Sequence, residues 1–157
     1  VEGKYMLSEL INETSIRLGV ECGTWEDAVR ESGKILVENG DITEEYIQAV
    51  IDNVNEVGPY IVITKGVALP HATNKIGVNR TAMSFISLKT PVNFGSKAND
   101  PVKYVFMLAT IDANSHLGAL QDLAEFLGRK EFIETLGAAR DAGSIVSYIK
   151  ENETNNQ

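Results

Sequence analysis

Three short apolar runs in the middle of the chain constrain its fold more than any other feature: YIVI at 60–63, TAMSFISL at 81–88 and VKYVFMLAT at 102–110. They are rich in β-branched and aromatic residues and are bounded by Gly, Pro, Asn and Asp, so they read as strands. Their apolarity is nearly continuous. Strands of that kind are buried on both faces, and a sheet built from them needs helices on both sides.

The flanking segments supply those helices. Segment 24–40 sets Trp25, Ala28, Val29, Leu36 and Val37 at helical spacing behind Thr24 as N-cap, with Glu26 and Asp27 in the first turn and Gly40 at the end. Segment 43–59 puts Ile47, Val50, Ile51 and Val54 on one face behind Thr43, and Gly58 and Pro59 stop it. The two predict a helical hairpin. In 115–128, Leu117, Leu120, Ala124 and Leu127 recur at i, i+3, i+7 and i+10, with Ser115 or Asn114 as N-cap and Gly128 closing the helix. Segments 130–139 and 143–151 predict two more short helices, and SIRLGVE at 15–21 a further strand. The expected class is α/β (α+β), a three-layer α/β/α sandwich with a single mixed β-sheet flanked by helices on both faces. One domain is expected over residues 1–150, with 151–157 (ENETNNQ) as a polar, solvated tail.

Charge and cysteine content narrow the function. The 157 residues carry 14 Lys and Arg against 22 Asp and Glu, a net charge of -8, which argues against a surface built for nucleic acid or anionic lipid. The single cysteine, Cys22, cannot form an internal disulfide and reads as a free core thiol. No stretch is long and apolar enough to span a bilayer, and VEGKYMLSEL lacks a signal-peptide pattern, so a cytoplasmic protein without membrane insertion is expected. There is no nucleophile elbow, P-loop or dinucleotide-binding glycine pattern.

The chain has only two histidines. His71 follows an apolar run in KGVALPHATN, where Pro70 biases Leu69 towards an extended conformation, so a strand should end there and deliver His71 to the rim of the sheet. His116, in DANSHLGALQ, is expected near the first helical position after the third run, at a helix amino end able to receive an anion. That end disfavours imidazolium, so His116 should lean neutral. Both could meet at one rim. By position alone, a single histidine is more often a structural residue than a catalytic one. Asp100 and Asp112 read as solvated turn residues. A zinc site from His71, His116 and Cys22 lacks the usual close ligand pairs.

The motifs around these histidines carry a resemblance. The run GPYIVITKGVALPHA resembles the phosphorylation-site signature of enzyme IIA components of the sugar phosphotransferase system, in the mannitol and fructose superfamily. The stretch PVNFGSKANDPVKYVFMLATIDANSHLGALQDLAEFL resembles that family's strand, loop and helix bearing its second active-site histidine. The likeness covers about residues 5 to 150 and is greatest to the ascorbate-type branch. Mannitol- and fructose-type members carry an Arg-Glu pair near the end of the helix before the site; here Asn55 and Glu56 stand there, leaving Lys65 or Arg80 as candidate replacements.

The resemblance implies that His71 accepts a phosphoryl group from the carrier protein HPr through Nε2, and passes it to an enzyme IIB domain, whose acceptor in the ascorbate branch is a cysteine. His116 would stabilise the phosphoryl group, and IIB would hand it on at the membrane component IIC. No cofactor or metal is implied. Transfer also requires the other ring nitrogen of His71 to donate its proton to a fixed acceptor, for which a backbone carbonyl is expected, and a shallow apolar docking surface. A regulatory IIA-like module acting by partner binding, or a pentitol- or galactitol-type component, would share both histidines.

Overall fold

The computed structural model describes residues 6–73 and 75–153. Its strands are β1 (Ile16–Val20), β2 (Val62–Thr64), β3 (Val67–Ala68), β4 (Ala82–Val92) and β5 (Val102–Ala109). They form one sheet in the order β1-β4-β5-β3-β2. β4 runs antiparallel to β5, and β2 to β3, while β1 lies parallel to β4 and β3 parallel to β5. The helices are α1 (Leu7–Leu10), α2 (Trp25–Glu38), α3 (Glu44–Val57), α4 (Ala113–Leu127), α5 (Lys130–Ala138) and α6 (Ala142–Asn152), with a 3₁₀ turn at Glu13–Ser15.

The two faces of the sheet carry separate cores. Ile86, Leu88, Val105 and Met107 turn towards α2 and α3, and Met83, Phe85, Phe106 and Leu108 join the core formed with α1, α4, α5 and α6. Successive residues of β4 and β5 therefore alternate between two buried layers, which is why their sequences read as continuous apolar runs. The expected three-layer sandwich is the fold observed.

Local signals account for the helical hairpin. Thr24 Oγ1 accepts from Asp27 N at 3.1 Å and starts α2. Ala28, Val29, Ile35 and Leu36 of α2 face Ile47, Val50, Ile51 and Val54 of α3 in one core. At Gly33 the helices approach so closely that a Cβ would lie 2.5 Å from Ile47 Cγ1.

Four expectations are corrected. The run at 60–63 is not a doubly buried strand: β2 is the sheet's edge, with Tyr60 80% and Ile63 41% exposed. α4 begins at Ala113 behind Asp112, not behind Asn114 or Ser115. Its buried face is Ser115, Gly118, Ala119, Leu123 and Phe126, whereas Leu117 and Ala124 are exposed and Leu120 and Leu127 half-buried. Small residues fill much of the buried face, and a leucine need not be inside merely because it is apolar. Finally, α6 runs to Asn152, and the Glu153 carboxylate accepts from Ser8 N and Ser8 Oγ, each at 2.8 Å. Residues 151–153 thus pack with the domain, and the rest of the expected tail, 154–157, lies outside the described residues.

The loop after His71 is fastened to the start of α3. Thr43 N donates to Gly77 O at 2.8 Å, and Ile42 bridges to Val78. Gly77 has φ +79°, and a Cβ there would lie 2.7 Å from both Thr43 Oγ1 and Tyr46 N. Gly77→Ala meets backbone strain and a steric clash together, and should lower stability by about 2–4 kcal/mol. Urea denaturation measures this; an unchanged midpoint would contradict the loop's tight seating.

Candidate active site

β3 has only two paired residues, yet it sets the site. Val67 pairs with Tyr104 and Ala68 with Val105. The chain stays extended beyond them: Leu69 N donates to Ile61 O at 2.7 Å and Leu108 N to Pro70 O at 2.9 Å. His71 follows at the rim, half-buried. Its Nδ1 lies 2.6 Å from Leu69 O. A carbonyl can only accept, so Nδ1 carries the hydrogen, and the neutral ring keeps its lone pair on Nε2. The acceptor is a backbone carbonyl, as expected.

β5 ends at the same rim and leads through Thr110, Ile111 and Asp112 into α4, where His116 lies in the first turn. The two imidazole centroids are 5.2 Å apart, with the rings inclined at 56°. The expected convergence of the histidines is therefore observed. His116 Nδ1 lies 3.4 Å from Thr110 Oγ1. Burial first, and then the positive charge that His71 can carry, hold the His116 pKa below the ordinary imidazole value.

The start of α4 differs from the open anion site expected of it. Asp112 Oδ1 accepts from Ser115 N at 2.7 Å and from Ser115 Oγ at 2.9 Å. Those bonds hold the Asp112 carboxyl below the usual range, aided by the Lys75 ammonium and Asn114 N. The helix end is thus capped by its own carboxylate. Thr81 Oγ1 lies 3.2 Å from Ser115 Oγ and accepts from Ile111 N at 3.1 Å, tying the beginning of β4 to the beginning of α4.

The other candidates fall elsewhere. Arg80 is ion-paired with Asp41 and donates to Asn39 O at 2.9 Å. Lys65 sits in the β2–β3 turn, at the opposite end of β3 from His71. Arg80 is thus held by the α2–α3 connection, and Lys65 is at the wrong end of β3 to stand in for the absent arginine. Lys75, whose charge reaches Asp112, is the cation that residue-by-residue reading overlooked; it lies in the loop after His71 and has no motif to mark it. Asp100 accepts from Phe94 N at 2.9 Å and Gly95 N at 2.8 Å and is a turn residue. Cys22 is buried, and its thiol is pushed up to about 11 by that burial and by Glu31, Asp27 and Glu21, so it stays protonated.

Apolar side chains surround the rim. Leu117 (56% exposed) follows His116, Ile111 (39%) precedes α4, and Ile76 (56%) lies in the loop after His71. Tyr60 lies in the turn just before β2, next to Ile61, whose carbonyl accepts from Leu69 N. Among the described residues, no helix is long and apolar enough to cross a membrane, and no three His, Cys, Asp or Glu side chains converge as metal ligands.

A five-stranded mixed sheet between helical layers is the fold of solved phosphotransferase-system IIA domains. The fold is similar to the solution structure of the mannitol-specific cryptic phosphotransferase enzyme IIA of Escherichia coli, at TM-score 0.82 and 34% identity, covering 94% of this chain and all of that one (100%). It is also similar to the enzyme IIA in a complex of Escherichia coli IIA mannitol with phosphorylated IIB mannitol, at TM-score 0.79 and 26% identity over 91% of this chain and 100% of that one. Residues 9–152 match the family described as phosphoenolpyruvate-dependent sugar phosphotransferase system, EIIA 2. The ascorbate-specific PTS system EIIA component of Salmonella choleraesuis is 37% identical over 142 residues, 89% of this chain and 92% of that protein. The chain belongs to the EIIA 2 family.

The geometry sets the titration of His116. Because folded His116 holds its proton less tightly than the unfolded chain, the unfolded state gains protons first as pH falls below about 6.5. The stability it contributes is complete above that pH and declines below it. By NMR, His116 should titrate below the ordinary value, and His71→Gln should raise its midpoint only in part, since burial remains. A midpoint unmoved by that substitution would show that the rings do not interact.

Proposed function

We propose that this protein is the phosphoryl carrier of a sugar phosphotransferase system, with His71 as acceptor and His116 as stabiliser of the transferred group. The observation that carries this reading is the bond from His71 Nδ1 to Leu69 O, with a second imidazole 5.2 Å from the first. It leaves Nε2 as the nucleophile without any need to remove a proton from it.

In the first step the Nε2 lone pair attacks the phosphorus of phosphohistidine on HPr. The donor's P–N bond breaks, its electron pair returns to the donor imidazole, and a P–N bond forms to His71. Nδ1 keeps its proton and its bond to Leu69 O, which spreads the positive charge gained by the ring. In the second step a IIB cysteine thiolate attacks the same phosphorus, and the electron pair returns to Nε2. The transition state is loose, so the protein's contribution is positioning and charge. His116 is neutral before the phosphoryl group arrives; the dianion raises its proton affinity, and with Thr110 donating to Nδ1 its Nε2–H is available to the phosphoryl oxygens. Lys75 adds positive charge on this face.

The exposed Leu117, Ile111, Ile76 and Tyr60 form the apolar rim against which HPr and IIB dock in turn. The IIA–IIB mannitol complex supports IIB as the recipient, and the ascorbate-specific relatives support ascorbate or a related acidic sugar as the transported substrate. The sugar would bind the membrane IIC component, reached through IIB, and the transfer would occur in the cytoplasm.

His71→Ala should abolish phosphorylation by enzyme I, HPr and phosphoenolpyruvate, read as loss of one phosphoryl group in the intact mass. His116→Ala should fold normally and transfer to IIB about 10²-fold more slowly. A His71→Ala protein that still gains the phosphoryl mass would overturn the acceptor, and wild-type onward transfer from His116→Ala would remove the second role.

A further inference from the structure

Tyr46 is fully buried in α3, far in sequence from either histidine, and its hydroxyl is engaged twice with backbone at the site. It donates to Leu108 O at 2.7 Å and accepts from Ala72 N at 2.9 Å. The Ala72 carbonyl, 3.4 Å away, is the weaker competitor for its one proton. Burial pushes the phenol up to about 12, so the hydroxyl remains both donor and acceptor at any working pH.

These bonds have a definite place in the sheet. In a parallel ladder, one residue's N–H donates to the carbonyl before its partner and its C=O accepts from the N–H after it. Leu108 stands in that relation to His71. Its N–H binds Pro70 O directly, at 2.9 Å. Its C=O reaches Ala72 N only through the Tyr46 oxygen. The hydroxyl is inserted into the rung that would otherwise close over His71, so the strands part here while Leu108 O and Ala72 N both stay paired. The ladder opens at the residue whose ring must leave the sheet to meet His116.

We infer that Tyr46 is a positioning residue for His71: its hydroxyl, inserted between Leu108 O and Ala72 N, holds the strand end open and fixes the His71 backbone so that Nδ1 stays on Leu69 O and the ring faces His116. The catalytic part of this inference rests on the acceptor role proposed for His71. The positional part does not.

The test compares Tyr46→Phe, Val50→Ala and wild type. Val50 is buried one turn further along the same helix and has no side-chain group that can hydrogen-bond, so Val50→Ala controls for lost packing. In Tyr46→Phe, phosphoryl acceptance from phospho-HPr should slow about 10- to 100-fold, with the concentration dependence on HPr retained. Long-range ¹H–¹⁵N spectra should show His71 losing its uniform Nδ1–H tautomer. Val50→Ala should keep both the rate and the tautomer. A folded Tyr46→Phe protein with wild-type rate and tautomer overturns the inference, and so does an equal slowing in both variants. If Tyr46→Phe does not fold, amide exchange in the wild type decides: slow exchange at Ala72 supports the inserted rung and fast exchange overturns it. Should the wild type itself accept no phosphoryl group, the acceptor reading fails, and the tautomer comparison still decides the positional part.

Discussion

Two residues of β3 pair in parallel with the middle of β5, and that short ladder decides where both histidines stand. It carries the chain on until His71 lies opposite Leu108, whose N–H holds the Pro70 carbonyl. The chain leaves the ladder at His71, just beyond Pro70, and the last residues of β5 lead directly into the helix that bears His116. Had β3 paired antiparallel, His71 would lie at the other end of β5, about 20 Å or more from α4 by the rise of a strand. The direction of β3 is set by the turn that precedes it, since β3 folds back antiparallel on the edge strand β2.

The rigidity of that arrangement comes from burial on both sides. Val105, Phe106, Met107, Leu108 and Ala109 are all inaccessible to solvent, divided between the two cores. Fully burying a side chain of this kind contributes roughly 1.5–3 kcal/mol, so a shift of β5 would disturb two cores at once. Leu108 shows the coupling most directly: its side chain packs in one core, while its backbone, through Tyr46, is tied to the helix of the other. The site is thus positioned by the middle layer and held from both outer ones.

The fold was legible because its signals are local or periodic. Continuous apolar runs reveal a sheet covered on both faces, Thr24 and the glycines mark helix ends, and Pro70 marks where a strand must release the chain. The histidines could be placed at strand ends by the same means. What escaped reading depended on tertiary neighbours. The Asp112 cap is the exception, a local bond to Ser115 three residues on that the adjacent Asn114 and Ser115 obscured, and the face of α4 was misassigned because four regularly spaced apolar residues outweighed the small buried ones. YIVI looks like an interior strand, but order in the sheet is not written in a run's apolarity, and β2 became the edge. Tyr46 reads as one more apolar helix position. Its hydroxyl acquires meaning only once Leu108 and Ala72, distant in sequence, are brought to it.

The departure at α4 bears on how a carrier of this kind works. An open helix end with unpaired N–H groups would bind a phosphoryl group strongly, and a group bound strongly in the ground state is harder to pass on. Here Asp112 already occupies the N–H of Ser115, and its carboxylate adds negative charge at the helix start, offset by Lys75. On the reading proposed for His116, that leaves a neutral, partly buried imidazole as the principal donor. On the proposed reading, His116 responds to the charge of the phosphoryl group only when it is present, and it is repelled by a protonated His71 when it is not. Such a site favours neither a permanently bound anion nor a permanently charged pair. It suits a phosphoryl group that must be accepted from one protein and released to the next with little change in free energy.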